Sequence, residues 1–277
     1  LTLDPHAVYS LTTTRGQQKG GFDAVPEEHA FPFPYADDFD GYGEGKAWGY
    51  LPRYFADISG AFELAPCPGR AGQCLHQAAA VVPISWAPEW APYTIIGDDH
   101  WHDYAVSADV QLNAGQSAAV MGRINNVGWG YGFIPKGYLL TVSADGDVKL
   151  SVWRGKPEKK KLVGDAEQQA LIRAANDDSE GGEKVLATAH IDAAPGQWRR
   201  LTLQFEGTHL TGQIDGKTVV TADDPLYATG MAGLLAETSG RVVSTPYFDA
   251  FSVTAPSAPA PASSPALPGQ TPIYGTR

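Results

Sequence analysis

The stretch RRLTLQFEGTHLTGQIDGKTVVTADD, residues 199–224, decides the fold class. Leu201, Leu203 and Phe205 alternate with Arg200, Thr202, Gln204 and Glu206, the period of a strand with one face buried and one wet. A second strand-like run follows at once and reaches Asp215-Gly216, a dipeptide suited to the two-residue turn of a β-hairpin. The pattern spreads outward from this hairpin. In YAVSADVQL (104–112), Tyr104, Val106, Ala108, Val110 and Leu112 share one face while Ser107, Asp109 and Gln111 share the other. Comparable runs occur at SAAVMGRIN (117–125), YLLTVSADGDVKLSVW (138–153), VLATAHI (185–191), GMAGLLAE (230–237) and YFDAFSV (247–253). Roughly a dozen strands joined by short turns predict an all-β protein, an antiparallel β-sandwich of jelly-roll size.

Composition supports this reading and removes some functions. The 277 residues include 31 Gly and 21 Pro, a turn density that favours β over α structure. The formal net charge of -11 opposes attachment to a phosphate backbone, so nucleic acid is not an expected partner. No run approaches the roughly 20 apolar residues of a membrane-spanning helix. The start at Leu1, with neither Met nor a signal region, reads as a cut or processed end.

The compact unit is expected over residues 35–254. Residues 1–34 combine strand-like VYSLTTT with a linker-like stretch, and residues 255–277 form a Pro/Ala/Ser-rich spacer. Residues 155–184 are polar and charge-rich and read as a surface insertion, in which Asp165 can cap a short helix over 166–175. Lys159, Lys160 and Lys161 lie among acids there, which suits a solvated loop better than a basic patch.

The two cysteines flank one turn. Pro68, Gly69 and Gly72 in CPGRAGQC make residues 67–74 a hairpin tip whose arms can bring Cys67 and Cys74 into a disulfide, which suits an exported protein; two free thiols are the alternative. Zinc-type CxxC spacing is absent.

Candidate chemistry is sparse. Retaining glycosidases need two carboxyls about 5 Å apart, and no E-x-D-x-x-E strand motif occurs. GDDHWHDY (97–104) gathers Asp98, Asp99, His100, His102 and Asp103, but a loop between strands is the commoner home for such residues. GRINNVGWGYGF (122–133) has neither a nucleophile-elbow serine nor the Lys-Ser/Thr of a phosphate loop. In YADDFDGY, Asp38 and Asp40 lie two apart and project to one side of a strand while Phe39 points oppositely. Asp249 shares parity with Tyr247, Phe251 and Val253, and a carboxylate on an apolar face requires compensation. If the first and last strands pair, these acids can meet around Ca²⁺, which takes six to eight oxygen ligands. Solvated strand ends are the alternative, and pattern alone favours it. Trp86 and Trp90 stand in VVPISWAPEWAPYT (81–94), a proline-stiffened loop poorly placed to serve a core.

Taken together, DDFDG (37–41), FADISGAFE (55–63), PISWA (83–87), IIGD (95–98) with Trp101 after it, GRIN (122–125) and YFDAF (247–251) resemble, in order, the C-terminal lectin-like domain of the galactosylceramidase family, retaining β-galactosidases of glycoside hydrolase family 59. VYSLTTTRGQQKG (8–20) resembles the end of the small β-sandwich that precedes it. The resemblance implies a concanavalin A/laminin G-like sandwich packed against a TIM barrel that carries both catalytic glutamates, so this chain has no catalytic residue of its own. It implies a structural calcium at Asp38, Asp40 and Asp249, with the backbone carbonyl near Gln73 as a fourth ligand, and here it outweighs the pattern. It implies that Trp86 lends a flat indole face to the galactose pocket of the barrel. Trp90 has no counterpart, and the 155–184 insertion departs from the family. The expected partners are therefore a galactose-containing glycan or glycolipid and the barrel and β-sandwich of the same enzyme, in a secreted or other exported compartment. Two rival readings remain. One is a stand-alone carbohydrate-binding or adhesion module that exposes Trp129 and Tyr131 beside Arg123, Asn125 and Asn126. The other is an autonomous sandwich glycosidase, disfavoured by the missing acid motif.

Overall fold

The computed structural model describes residues 30–40, 42, 51–82, 91–125, 136–155 and 182–262. Among them there is no helix, and the strands form two stacked antiparallel sheets. The first sheet runs in the order β13 (Lys217–Asp223), β12 (His209–Ile214), β11 (Trp198–Glu206), β6 (Ala105–Gln111), β17 (Tyr247–Thr254), β4 (Gln73–Gln77), β3 (Phe62–Pro66), and β1 (Tyr35–Asp37) also pairs with β17. The second runs β10 (Glu183–His190), β9 (Asp147–Arg154), β8 (Lys136–Ser143), β7 (Ser117–Asn125), β14 (Met231–Ala236), β5 (Tyr93–Ile96), β2 (Ala56–Ser59). A two-residue pair, β15 (Thr238–Ser239) and β16 (Val242–Val243), stands apart. The predicted antiparallel sandwich is therefore the fold, with more and shorter strands than the pattern resolved.

The alternation works as read. Tyr104, Val106, Ala108, Val110 and Leu112 of the β6 segment, and Leu201, Leu203 and Phe205 of β11, all face the core between the sheets. From the opposite sheet they meet Val120, Tyr138, Leu140, Leu150 and Leu234. The Asp215-Gly216 turn has positive φ at both residues (52° and 75°), as the primed hairpin turn requires.

The second sheet carries apolar residues on its outer face too. Tyr93, Ile95, Ala119, Met121, Ile124, Leu139 and Leu235 form a separate buried cluster there. Double-sided burial explains why SAAVMGRIN and GMAGLLAE read as nearly continuous apolar runs. Gly122 in β7 is required by packing, since a Cβ there would lie 2.3 Å from the Phe205 ring.

The first and last strands pair as the sequence suggests: Tyr35, Ala36 and Asp37 of β1 stand opposite Val253, Ser252 and Phe251 of β17. The phase of Asp249 differs from the one its parity predicts. A bulge between Asp249 and Ser252, with Ala250 at φ 48°, inserts an extra residue into β17. Phe248, Phe251 and Val253 consequently point into the core, while Asp249 stands beside Asp109 on the outer face.

Candidate functional site

Four segments converge at one end of the outer face of the first sheet. β1 ends in Asp37, a buried carboxylate that accepts hydrogen bonds from the Tyr35 hydroxyl (3.1 Å), the Phe39 amide (2.9 Å) and the Tyr42 hydroxyl. Burial pushes the Asp37 pKa up, and these three donors pull it partly back. The chain then turns through Phe39 at φ 59°, which drives that ring into the core and leaves Asp38 and Asp40 exposed on the other side. The expected geometry of the two acids is met in a loop rather than on a strand.

Asp40 is aimed at the hairpin of β3 and β4. Its Oδ1 accepts the Gln73 amide at 2.7 Å. This approach needs Gly72, where a Cβ would fall 2.3 Å from the same oxygen. Asp38 Oδ1 accepts the Asp40 amide at 3.3 Å. The hairpin tip is closed by a Cys67–Cys74 disulfide, with 5.1 Å between the Cα atoms.

Asp249 has a partner that sequence reading missed. Arg70, at the tip of the disulfide loop, reaches across the sheet to Asp109 (2.7 Å) and Asp249 (3.0 Å). Its guanidinium also lies 3.9 Å over the Trp198 ring, and the Trp198 indole donates to the Pro68 carbonyl at 3.1 Å. Two carboxylates placed opposite each other on neighbouring strands repel unless a cation joins them, and Arg70 is that cation. A second arginine, Arg200, pairs with the other Asp109 oxygen at 3.3 Å and donates to the Ser252 hydroxyl at 2.9 Å. Burial pushes the Asp249 pKa up, while Arg70 and the Ala250 amide lower it. The only sequence signal for Arg70 was its place between the two cysteines.

Donor chemistry at this end partly fits a hard cation. Asp38, Asp40 and Gln73 are brought together through carboxylate and backbone groups. Asp249 lies next to the disulfide sulfurs, and its carboxylate is already bonded to Arg70. A calcium ion that used Asp249 would therefore share or displace that guanidinium.

Other sequence candidates resolve differently. Trp86 and Trp90 lie in 83–90, outside the described residues, as do Trp129, Tyr131, Asn126 and most of the 155–184 insertion. Arg123, read as part of an exposed binding surface, is instead 2% exposed. Its guanidinium donates to the His102 and Tyr227 carbonyls and pairs with Asp103. The β7 bulge, with Arg123 at φ 49°, turns this side chain inward. Asp98, Asp99 and His100 do gather within 4.8 Å, but Asp98 chiefly closes its own turn by accepting the His100 amide at 2.9 Å. That bond, followed by the one from the His100 ring, lowers the Asp98 pKa, and Asp98 in turn raises that of the imidazole.

Residues 57–154 match the family described as galactocerebrosidase, C-terminal lectin domain. The chain is 28% identical to galactocerebrosidase of Canis lupus familiaris over 225 residues, 79% of this chain and 29% of that protein. It is 30% identical to that of Salmo salar over 223 residues, 78% and 29% respectively, and 26% identical to that of Homo sapiens over 227 residues, 80% and 29%. The chain thus spans under a third of the length of these relatives. Among solved structures, the carbohydrate-binding module CBM66 from Bacillus subtilis superposes with a TM-score of 0.48 at 16% identity, covering 73% of this chain and 96% of the module.

Proposed function

We propose that this relative of the galactocerebrosidase C-terminal lectin domain is the accessory lectin-like part of a galactosylceramidase-type hydrolase, which removes β-galactose from galactolipids or related galactosides. The observation that carries the reading is the family match across 57–154, which takes in the disulfide hairpin, Asp109 and the central strands of both sheets. On this reading the catalytic glutamates belong to a TIM barrel on another part of the protein. Asp109 and Asp249, carboxylates that face each other on neighbouring strands, are bridged by Arg70. The Cys67–Cys74 disulfide, of a kind that persists in oxidising compartments, supports an exported location.

Trp86 is the residue proposed to reach the galactose pocket. In the full-length protein, Trp86→Ala should raise KM for a galactoside about tenfold, equivalent to ~1.4 kcal/mol of binding. It should leave the melting temperature of the sandwich nearly unchanged, because a core tryptophan would cost ~3–5 kcal/mol on truncation. A large loss of stability with normal turnover per folded molecule would assign Trp86 to packing and remove it from the pocket. Hydrolysis of a nitrophenyl β-galactoside by this chain alone would contradict the division of labour.

Calcium is proposed as a structural ion held by Asp38, Asp40, Asp249 and the Gln73 carbonyl. It would supply positive charge that ties the loop after β1 to the disulfide hairpin. Ligand that binds only the folded state stabilises by RT ln(1 + [L]/Kd), about 1.4 kcal/mol at a tenfold excess. Chelation should lower Tm accordingly, Asp40→Asn should remove the response, and Arg70→Ala should strengthen it by freeing Asp249. An EDTA-insensitive melting curve together with a metal-free elemental analysis would eliminate the ion.

A further inference from the structure

The outer face of the first sheet holds a recessed cleft of about 370 Å³, whose lining includes none of Asp38, Asp40, Gln73 and Asp249. Its floor is made by Ser107, Thr202, Gln204, Gln213, Ser252 and Thr254, from four adjacent strands. After β17 the chain makes a turn closed by the Ala258 amide on the Ala255 carbonyl (3.1 Å), and Ser257, Ala258 and Ala260 form a wall.

Two properties point to its ligand. The first is unused hydrogen-bonding capacity. The side-chain amides of Gln204 and Gln213 and the Thr254 hydroxyl bond to no group among the described residues. Ser107 and Thr202 bond to each other at 2.8 Å, which still leaves lone pairs on both oxygens. The second is neutrality. Arg200 is the one charged residue of the lining among the described residues, and it belongs to a balanced set with Arg70, Asp109 and Asp249. A phosphate or carboxylate ligand would find no uncommitted cation, and an apolar ligand would strand amides and hydroxyls without partners. A chain of neutral hydroxyls matches both properties.

We propose that this cleft is a glycan-binding site for a neutral, polyhydroxylated sugar chain, read by hydrogen bonds from Gln204, Gln213, Thr202, Ser107 and Thr254. Among the described residues no aromatic ring lines it, so specificity rests on hydroxyl geometry and affinity is weak. The site would let the domain hold the carbohydrate around a substrate or on a surface while another part of the protein acts.

The test is a heteronuclear NMR titration of the whole chain with β-1,4-galactotetraose, xylotetraose and cellotetraose, with tetragalacturonate as the acidic counterpart. At least one neutral tetraose should shift amides at 200–213 and 252–254, bind at least tenfold tighter than the acid, and lose at least tenfold in affinity in Gln204→Leu/Gln213→Leu. Should that double variant fail to fold, Ala260→Trp, which blocks the cleft from its wall, should produce the same loss. Several results overturn the proposal: no neutral tetraose binds, the acid binds equally, or binding persists in the cleft variants. Binding removed by Trp86→Ala alone places the sugar at the loop and also overturns it. So does binding that appears only after residues 263–277 are deleted, which makes the tail the occupant.

Discussion

Arg123→Met is expected to destabilise the sandwich by ~2–5 kcal/mol, since a buried acceptor left without its donor costs ~1–3 kcal/mol and two carbonyls lose theirs. In a protein of this size that corresponds to a fall in Tm of about 10 °C. The methionine keeps most of the side-chain stem, so the loss comes from the guanidinium. That group donates twice to the His102 carbonyl (3.0 and 2.9 Å) and once to the Tyr227 carbonyl (3.0 Å), and it reaches Asp103 at 3.3 Å. It also lies 4.8 Å over the Phe205 ring. Without it, two carbonyls from separate loops lose their donors where little water reaches. Burial pushes the Arg123 pKa down from its usual value, the sign that the surroundings charge a real desolvation cost which these bonds must offset. Arg123→Lys should recover only part of the loss, because an ammonium cannot reproduce the planar fork. Urea unfolding of the three proteins decides the matter, and a Met variant within 1 kcal/mol of wild type would show that the network is replaceable.

Removing the disulfide with Cys67→Ala/Cys74→Ala should cost ~2–3 kcal/mol, from the loop entropy returned to the unfolded chain. The loss should have a local signature as well. The bridge fixes the loop that carries Arg70, and Arg70 joins Asp109 to Asp249 while covering Trp198. A slack loop leaves those two carboxylates facing each other with weaker compensation and exposes the indole. Near-ultraviolet circular dichroism should therefore change along with Tm, and reduction of the wild type should reproduce both effects. Unchanged melting in the double variant would mean that the Arg70 contacts alone hold the loop.

Several parts of this molecule were legible before any coordinates. Period-two alternation at 104–112 and 199–207 named the core residues correctly because a pleated strand turns successive side chains to opposite faces whatever its neighbours are. The Asp215-Gly216 hairpin and the Cys67–Cys74 tip were equally local, since turn chemistry and eight residues of chain set them. The order of six short motifs pointed to the same family that the 57–154 match reports.

Other features were invisible because they depend on which distant segments become neighbours. Parity assigned Asp249 to the apolar face, and a single extra residue in the β17 bulge reversed it. Arg123 looked like a surface cation until two loops closed over it. Arg70 meets carboxylates 39 and 179 residues away in sequence, a pairing that exists only once β6 and β17 lie side by side under the disulfide loop. The sugar-sized cleft likewise needs four strands in register before its hydroxyls and amides share one floor. Strand identity and facing were settled by the sequence through local backbone geometry, whereas the placement of charge and of unused hydrogen-bonding groups was settled by the tertiary structure, because long-range strand order and one-residue bulges determine which side chains meet.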